Sequence, residues 1–120
     1  TDMVVHTTYQ HLGVPYVWGG TSTAGFDCSG LTYYVMRQNE IAIPRTAATQ
    51  YQKGTPIAKS QLQPGDFVFF ETYTAGASHV GIYLGQDQFI HASSGAGKVI
   101  ISKLSNTYYT QHYLGARRMI

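Results

Sequence analysis

HVGIYLGQDQFIHAS, residues 79–93, carries two runs of β-favouring residues on either side of a Gly85-Gln86-Asp87 break. His79 to Leu84 and Gln88 to Ala92 are rich in Val, Ile, Tyr and Phe and bounded by turn formers, the pattern of a hairpin. Each run also carries a histidine, His79 and His91. Side chains alternate faces along a strand, so two odd-numbered residues share a face only when the numbers of paired residues add to an even value. Pairing Leu84 with Gln88 and Gly81 with His91 meets that condition and makes His79 the diagonal neighbour of His91, within side-chain reach. A two-residue loop would put the two rings on opposite faces, so a shared face requires an odd loop or a bulge.

Further strands are predicted at Phe67–Phe70, Lys98–Ile101 and Tyr113–Met119. Leu62-Gln63-Pro64-Gly65-Asp66 reads as a turn, with Pro64 and Gly65 suited to its centre and Asp66 able to bond local backbone. Upstream the period changes to that of helices. Val4, Val5, Tyr9 and Leu12 are spaced for a helix within residues 1–12, with Asp2 available as a cap and Gly13 as a stop. Leu31, Tyr34 and Val35 predict a helix that starts at or just after Asp27 and runs to about Asn39, and Arg45 to Gln52 a short one after Pro44, closed by Gly54. Val14 to Gly25 is a loop of small residues bearing two large aromatics, Tyr16 and Trp18. Helices first and a strand meander afterwards predict an α+β fold, with N-terminal helices packed on a central, mostly antiparallel sheet of about five to six strands.

The chain has 120 residues, enough for one modest core and one site. With 43% hydrophobic and 12% charged residues it lies well away from the composition of disordered chains. A net charge of +2 without a basic cluster gives no footprint for nucleic acid. No apolar run approaches the ~20 residues needed to cross a bilayer, and the opening TDMVV lacks the features of a signal peptide.

The single cysteine, Cys28 in FDCSG, excludes an intrachain disulfide. The plainer reading of such a residue is a small buried hydrophobe. Its place in the first turn of a helix argues otherwise: the positive end of the backbone dipole favours thiolate, and first-turn N–H groups without intrahelical acceptors can hold an oxyanion. Asp27 works against thiolate, so its part is to cap the helix or to bind a substrate cation. A nucleophilic thiol needs a base, and among five histidines only His79 and His91 are placed to form a pair. His79 would take the thiol proton and return it to a leaving amine while His91 orients it. His6, His11 and His112 are expected to be structural.

Together these residues resemble the NlpC-type bacterial cell-wall cysteine endopeptidases, which have a papain-like core. PYVWGGTSTAGFDCSGL (Pro15 to Leu31), PRTAATQ (Pro44 to Gln50), LQPGDFVFF (Leu62 to Phe70), HVGIYLG (His79 to Gly85) and FIHAS (Phe89 to Ser93) stand in the family's order at similar spacing. The resemblance implies hydrolysis of the peptidoglycan stem peptide between a γ-D-glutamyl or D-isoglutaminyl residue and the following diamino acid. It implies Cys28 as nucleophile, His79 as base and His91 as third polar residue. Tyr16 would line the site and help the oxyanion hole. Asp27 and Ser29 would contact the acyl side of the substrate, and Arg45 would pair with a stem-peptide carboxylate. Trp18 would shape the groove or, more simply, support its loop.

The same resemblance implies a single catalytic domain over residues 1–120, cut from a larger secreted protein and acting outside the cell at the wall. It would be a monomer, with stem peptides or muropeptides as partners, without nucleic acid, membrane span, cofactor or metal. The same thiol chemistry would also serve an amidase that cuts before the first alanine, or an acyltransferase, and a wall-binding module without turnover could keep the fold. A metal site of Cys28, His79, His91 and an Asp lacks any H-E-x-x-H or paired C-x-x-C signature.

Overall fold

The computed structural model of the chain describes residues 2–119. Its elements, in order, are α1 (Asp2–Tyr9), β1 (Thr21–Ser22), β2 (Gly25–Phe26), α2 (Cys28–Gln38), α3 (Ala47–Tyr51), β3 (Thr55–Ile57), a 3-10 turn (Lys59–Gln61), β4 (Phe67–Phe70), β5 (His79–Gly85), β6 (Gln88–Ser93), β7 (Lys98–Lys103), α4 (Thr107–His112) and β8 (Tyr113–Arg118). Six strands form an antiparallel sheet in the order β3-β8-β4-β5-β6-β7, and β1 pairs with β2 in a small ribbon. The predicted α+β class holds.

β4 explains why the sheet is covered on both sides. All four residues of FVFF are fully buried, which an alternating half-exposed strand cannot be. Phe67 and Phe69 face a core shared with Leu31, Val35 and Met36 of α2. Val68 and Phe70 face a second core with Phe89, Leu104 and Ala116, against which Tyr109 of α4 packs. Burying each of the three phenylalanines contributes roughly 1.5–3 kcal/mol, so this strand anchors the layers on either side of it.

α1 stops earlier than the spacing of apolar residues predicts, and it buries a different face. Val4, Thr8 and His11 are buried, whereas Tyr9 and Leu12 are exposed. The polar members of that face are satisfied locally: Thr8 Oγ1 donates to the Val4 carbonyl (2.6 Å), and a ring nitrogen of His11 bonds Gln38 Oε1 (3.0 Å). The His11 ring also packs edge-on against Phe26 and Tyr34. Gly13 takes a left-handed conformation (φ 85°) and ends the N-terminal segment. The side chain of Asp2, expected as a cap, lies outside the described set.

α3 is shorter than Arg45–Gln52, because Thr46 caps it in a reciprocal arrangement with Thr49. The LQPGD turn is structural as expected. Asp66 Oδ2 accepts from the Gln63 backbone (2.9 Å), and the same buried carboxylate receives Nε and a terminal nitrogen of Arg118 at 2.8 and 2.9 Å.

The β5–β6 hairpin closes with a two-residue turn, Gln86 and Asp87, both left-handed (φ 53° and 67°) as a type I′ turn requires. Such a turn gives the wrong parity for a shared histidine face, and a bulge corrects it. Gly85 pairs with Gln88 in place of the expected Leu84, the register then shifts, and Tyr83–Phe89 and Ile82–Ile90 pair at an even sum. Gly81 makes room for the result: a Cβ there would lie 2.7 Å from the Phe89 ring and 3.1 Å from His91 Cβ.

Candidate active site

Cys28 is the first residue of α2, and Asp27 is its N-cap. Asp27 Oδ1 accepts from the Gly30 backbone (2.7 Å), satisfying one of the orphan donors of the first turn. Its other oxygen accepts from the Gly19 backbone (3.0 Å) and from Arg45 (3.0 Å), while Arg45 also donates to Ser29 Oγ (2.8 Å). Asp27, Ser29 and Arg45 therefore form one connected group beside the sulfur. Arg45 is not a free surface cation. Gly30 lets the Gly19–Gly20 turn lie over the helix start, since a Cβ there would run into the Gly20 carbonyl. That close approach fixes the loop carrying Tyr16 and Trp18 next to Cys28.

Cys28 is only 6% exposed, yet it lines an open groove rather than being sealed inside. The described pairing of β5 with β6 runs no closer to their open end than Ile82 and Ile90. Beyond that point the Ser78 carbonyl accepts from the thiol, Sγ to O 3.6 Å. Burial, followed by the negative charge of Asp27, pushes the thiol up to about 11, although nearby backbone N–H groups, that of Val80 first, pull the other way. The helix start therefore does not leave Cys28 as a resting thiolate, contrary to the expectation from position alone: desolvation of the sulfur outweighs the dipole.

His79 opens β5 and His91 lies in the middle of β6, both on the face that carries Phe70 and Phe89. His79 Nε2 and His91 Nδ1 are 2.7 Å apart, with the rings nearly perpendicular (83°). This is the diagonal contact predicted from the parity of the hairpin. With Nε2 engaged, Nδ1 is the ring nitrogen left to accept a proton; in this arrangement the thiol donates to Ser78, and no hydrogen bond joins it to His79. Burial holds the His79 imidazolium down to about 4, and His91 is pushed well below the usual imidazole range by burial and by the neighbouring His79. A raised thiol and a lowered imidazole both favour the neutral pair, so the resting site is a thiol beside a neutral base.

Cys28 stands between two grooves that share Tyr16, Trp18 and Tyr73 as walls. One, of about 520 Å³, continues past His79 to Ser93, Ser94, Tyr108 and Tyr109. The other, of about 420 Å³, continues past Asp27, Ser29 and Arg45 to Thr46 and Ser78. Tyr16 is kept a neutral phenol, its pKa raised to about 12 by burial first, then by the charge Cys28 would carry as a thiolate and by that of Asp27. It can therefore donate a hydrogen bond beside the sulfur. Trp18 is 73% exposed and meets only the edge of the exposed Tyr73 ring (5.8 Å). It is a wall of the groove rather than a support for its loop.

Residues 13–118 match the model of the NlpC/P60 family. The chain belongs to that family. It is 43% identical over 125 residues to the murein DD-endopeptidase MepH of Escherichia coli, covering all of this chain and 46% of that protein. It is 47% identical over 118 residues to a gamma-DL-glutamyl hydrolase of Bacillus subtilis, covering 96% of this chain and 28% of the relative. The crystal structure of an NlpC/P60 family protein from Bacillus cereus superposes with a TM-score of 0.91 at 38% identity, covering 98% of this chain and 39% of that one. The chain thus spans less than half the length of these relatives.

Three residues of this NlpC/P60 site escape the sequence pattern. Tyr73 lies in the loop between β4 and β5, where no period marks it. Ser102 lies one residue past the predicted end of its strand, and Tyr109 on a helix with no predicted counterpart. Ser102 had one usable signal: it pairs with Phe89, two residues from His91, so extending the strand by a single residue puts its hydroxyl on the histidine face.

Proposed function

We propose that this NlpC/P60 domain is a peptidoglycan hydrolase, a thiol endopeptidase that cleaves the stem peptide between γ-D-glutamyl (or D-isoglutaminyl) and the diamino acid, L-lysine or diaminopimelate, through an acyl-enzyme on Cys28. The observation that carries this reading is the 2.7 Å contact between His79 and His91, which leaves a base nitrogen for the thiol lining the same groove. The names of the relatives, one a murein DD-endopeptidase and one a glutamyl hydrolase, support the substrate class.

In this mechanism His79 Nδ1 takes the Cys28 proton as the sulfur attacks the carbonyl carbon. The oxyanion accepts from the Cys28 backbone N–H, free at the helix start, and from the Tyr16 hydroxyl. Collapse breaks the C–N bond and His79 returns the proton to the leaving amine. Water, activated by the same nitrogen, then cleaves the thioester. His79 lines only the larger groove, so the diamino acid leaves on that side and the acyl portion lies along Asp27, Ser29 and Arg45. On this reading the domain acts outside the cell, at the wall, as a monomer.

The test is digestion of purified wall, with either diamino acid, read by mass spectrometry of the new termini. New amino groups on the diamino acid are expected. New N-terminal alanine would assign an amidase, and a new D-alanine carboxyl terminus a D,D-cleavage. Cys28→Ala is expected to abolish release while keeping the fold and wall binding; full activity in that variant would refute the thiol mechanism.

A further inference from the structure

We propose that Ser102 is a positioning residue that makes available the tautomer of the His79–His91 pair in which His79 can act as a base. The proposal deepens the endopeptidase reading and rests on it. Its starting point is a row of side chains crossing three neighbouring strands on one face. His79 Nε2 meets His91 Nδ1 at 2.7 Å, and His91 Nε2 meets Ser102 Oγ at 2.8 Å. His91 is fully buried, so both its nitrogens depend on these two partners. The Tyr109 ring packs edge-on against His91 at 5.4 Å beside this row. Tyr109 also lines the groove beyond His79.

Two neutral histidines in contact admit two proton arrangements. In the first, His79 Nε2–H donates to His91 Nδ1, His91 Nε2–H donates to Ser102, and His79 Nδ1 keeps a lone pair that can accept a proton. In the second, every proton is reversed: Ser102 donates to His91 Nε2, His91 Nδ1–H donates to His79 Nε2, and Nδ1 of His79 carries a proton and cannot accept one. A serine hydroxyl alone serves either arrangement. The first arrangement depends on it, because the buried His91 Nε2–H has Ser102 Oγ as its acceptor.

Removing the Ser102 hydroxyl orphans a buried N–H in the first arrangement but only a lone pair in the second, and orphaned donors are the less tolerated of the two. Ser102→Ala therefore shifts the pair toward the incompetent tautomer. The readout is the protonation of each imidazole nitrogen of His79 and His91 by proton–nitrogen correlation spectra, together with kcat and KM on a stem-peptide substrate. In the unmodified domain both rings are expected to carry the proton on Nε2. In Ser102→Ala protonated Nδ1 is expected to appear, with kcat down about tenfold, a fraction of what a general base supplies, and KM unchanged. Ser102→Thr, which keeps the hydroxyl, restores both. Unchanged tautomers in Ser102→Ala, or a changed tautomer with undiminished kcat, would overturn the proposal. Absence of hydrolysis by the unmodified domain would instead refute the endopeptidase reading, and the spectra would still decide the tautomer.

Discussion

Cys28 is the only cysteine in the chain, so the state of its thiol can be measured by alkylation without background. With its pKa pushed from 9.0 up to about 11, the fraction present as thiolate at pH 7 is about one part in ten thousand, a hundredfold below an unperturbed thiol. That difference corresponds to ~3 kcal/mol against the charged form. The second-order rate of reaction with iodoacetamide, followed by intact mass from pH 5 to 11, is expected to rise about tenfold per pH unit from neutrality to pH 10. A pre-formed thiolate–imidazolium pair would behave differently, with a rate already high and flat between pH 5 and 8. That plateau would refute the neutral resting pair and with it the ranking of desolvation above the helix dipole. Asp27→Asn supplies an internal check. It keeps a capping acceptor but removes the second-largest cause of the shift, so the whole curve should move toward lower pH.

The histidine pair should also appear in stability. His79 is lowered from 6.5 to about 4, so its contribution is present above pH 6.5 and is lost as pH falls through 4, at most ~3 kcal/mol. His91 acts in the same direction. Urea midpoints measured across this range should fall steeply, and less so in His79→Gln. Gly81→Ala is expected to push Phe89 and His91 aside, cutting kcat more than it lowers the melting temperature, as read by kinetics beside calorimetry; an active variant would contradict the packing at that position. Trp18→Ala and Tyr73→Ala, which remove exposed walls that both grooves share, should raise KM by about 3–10-fold with little change in kcat, the scale of one aromatic contact.

The hairpin bearing the two histidines was legible because parity is an integer property: either the rings share a face or they do not, and a two-residue turn forces a bulge. The helix start at Cys28 was legible from Asp27 and the apolar spacing after it. Other features were not. The α1 face was misjudged because Thr8 and His11 are buried with their hydrogen bonds satisfied, and hydrophobicity alone does not reveal a paired polar side chain. β3 has three residues and a proline at its centre, too short and too irregular for a period of two. α4 is a single polar turn and a half, held by the Asn106 cap and by His112 Nδ1 bonding the Glu71 carbonyl at 2.6 Å. The resting protonation of the sulfur was hidden for a related reason: a helix start is visible in a sequence, whereas the depth to which tertiary packing sinks it is not.

The bulge in the β5–β6 hairpin also limits how this segment can change. A slip of the pairing by one residue would carry one imidazole to the wrong side of the sheet, so a residue added or deleted at the tip must be absorbed by the turn or the bulge, leaving the Tyr83–Phe89 and Ile82–Ile90 pairs as they are. The loop between β4 and β5 faces no such arithmetic. Alterations at the tip that shift the register should behave as all-or-nothing events for catalysis, even though the tip itself lies at the far end of the strand from the sulfur.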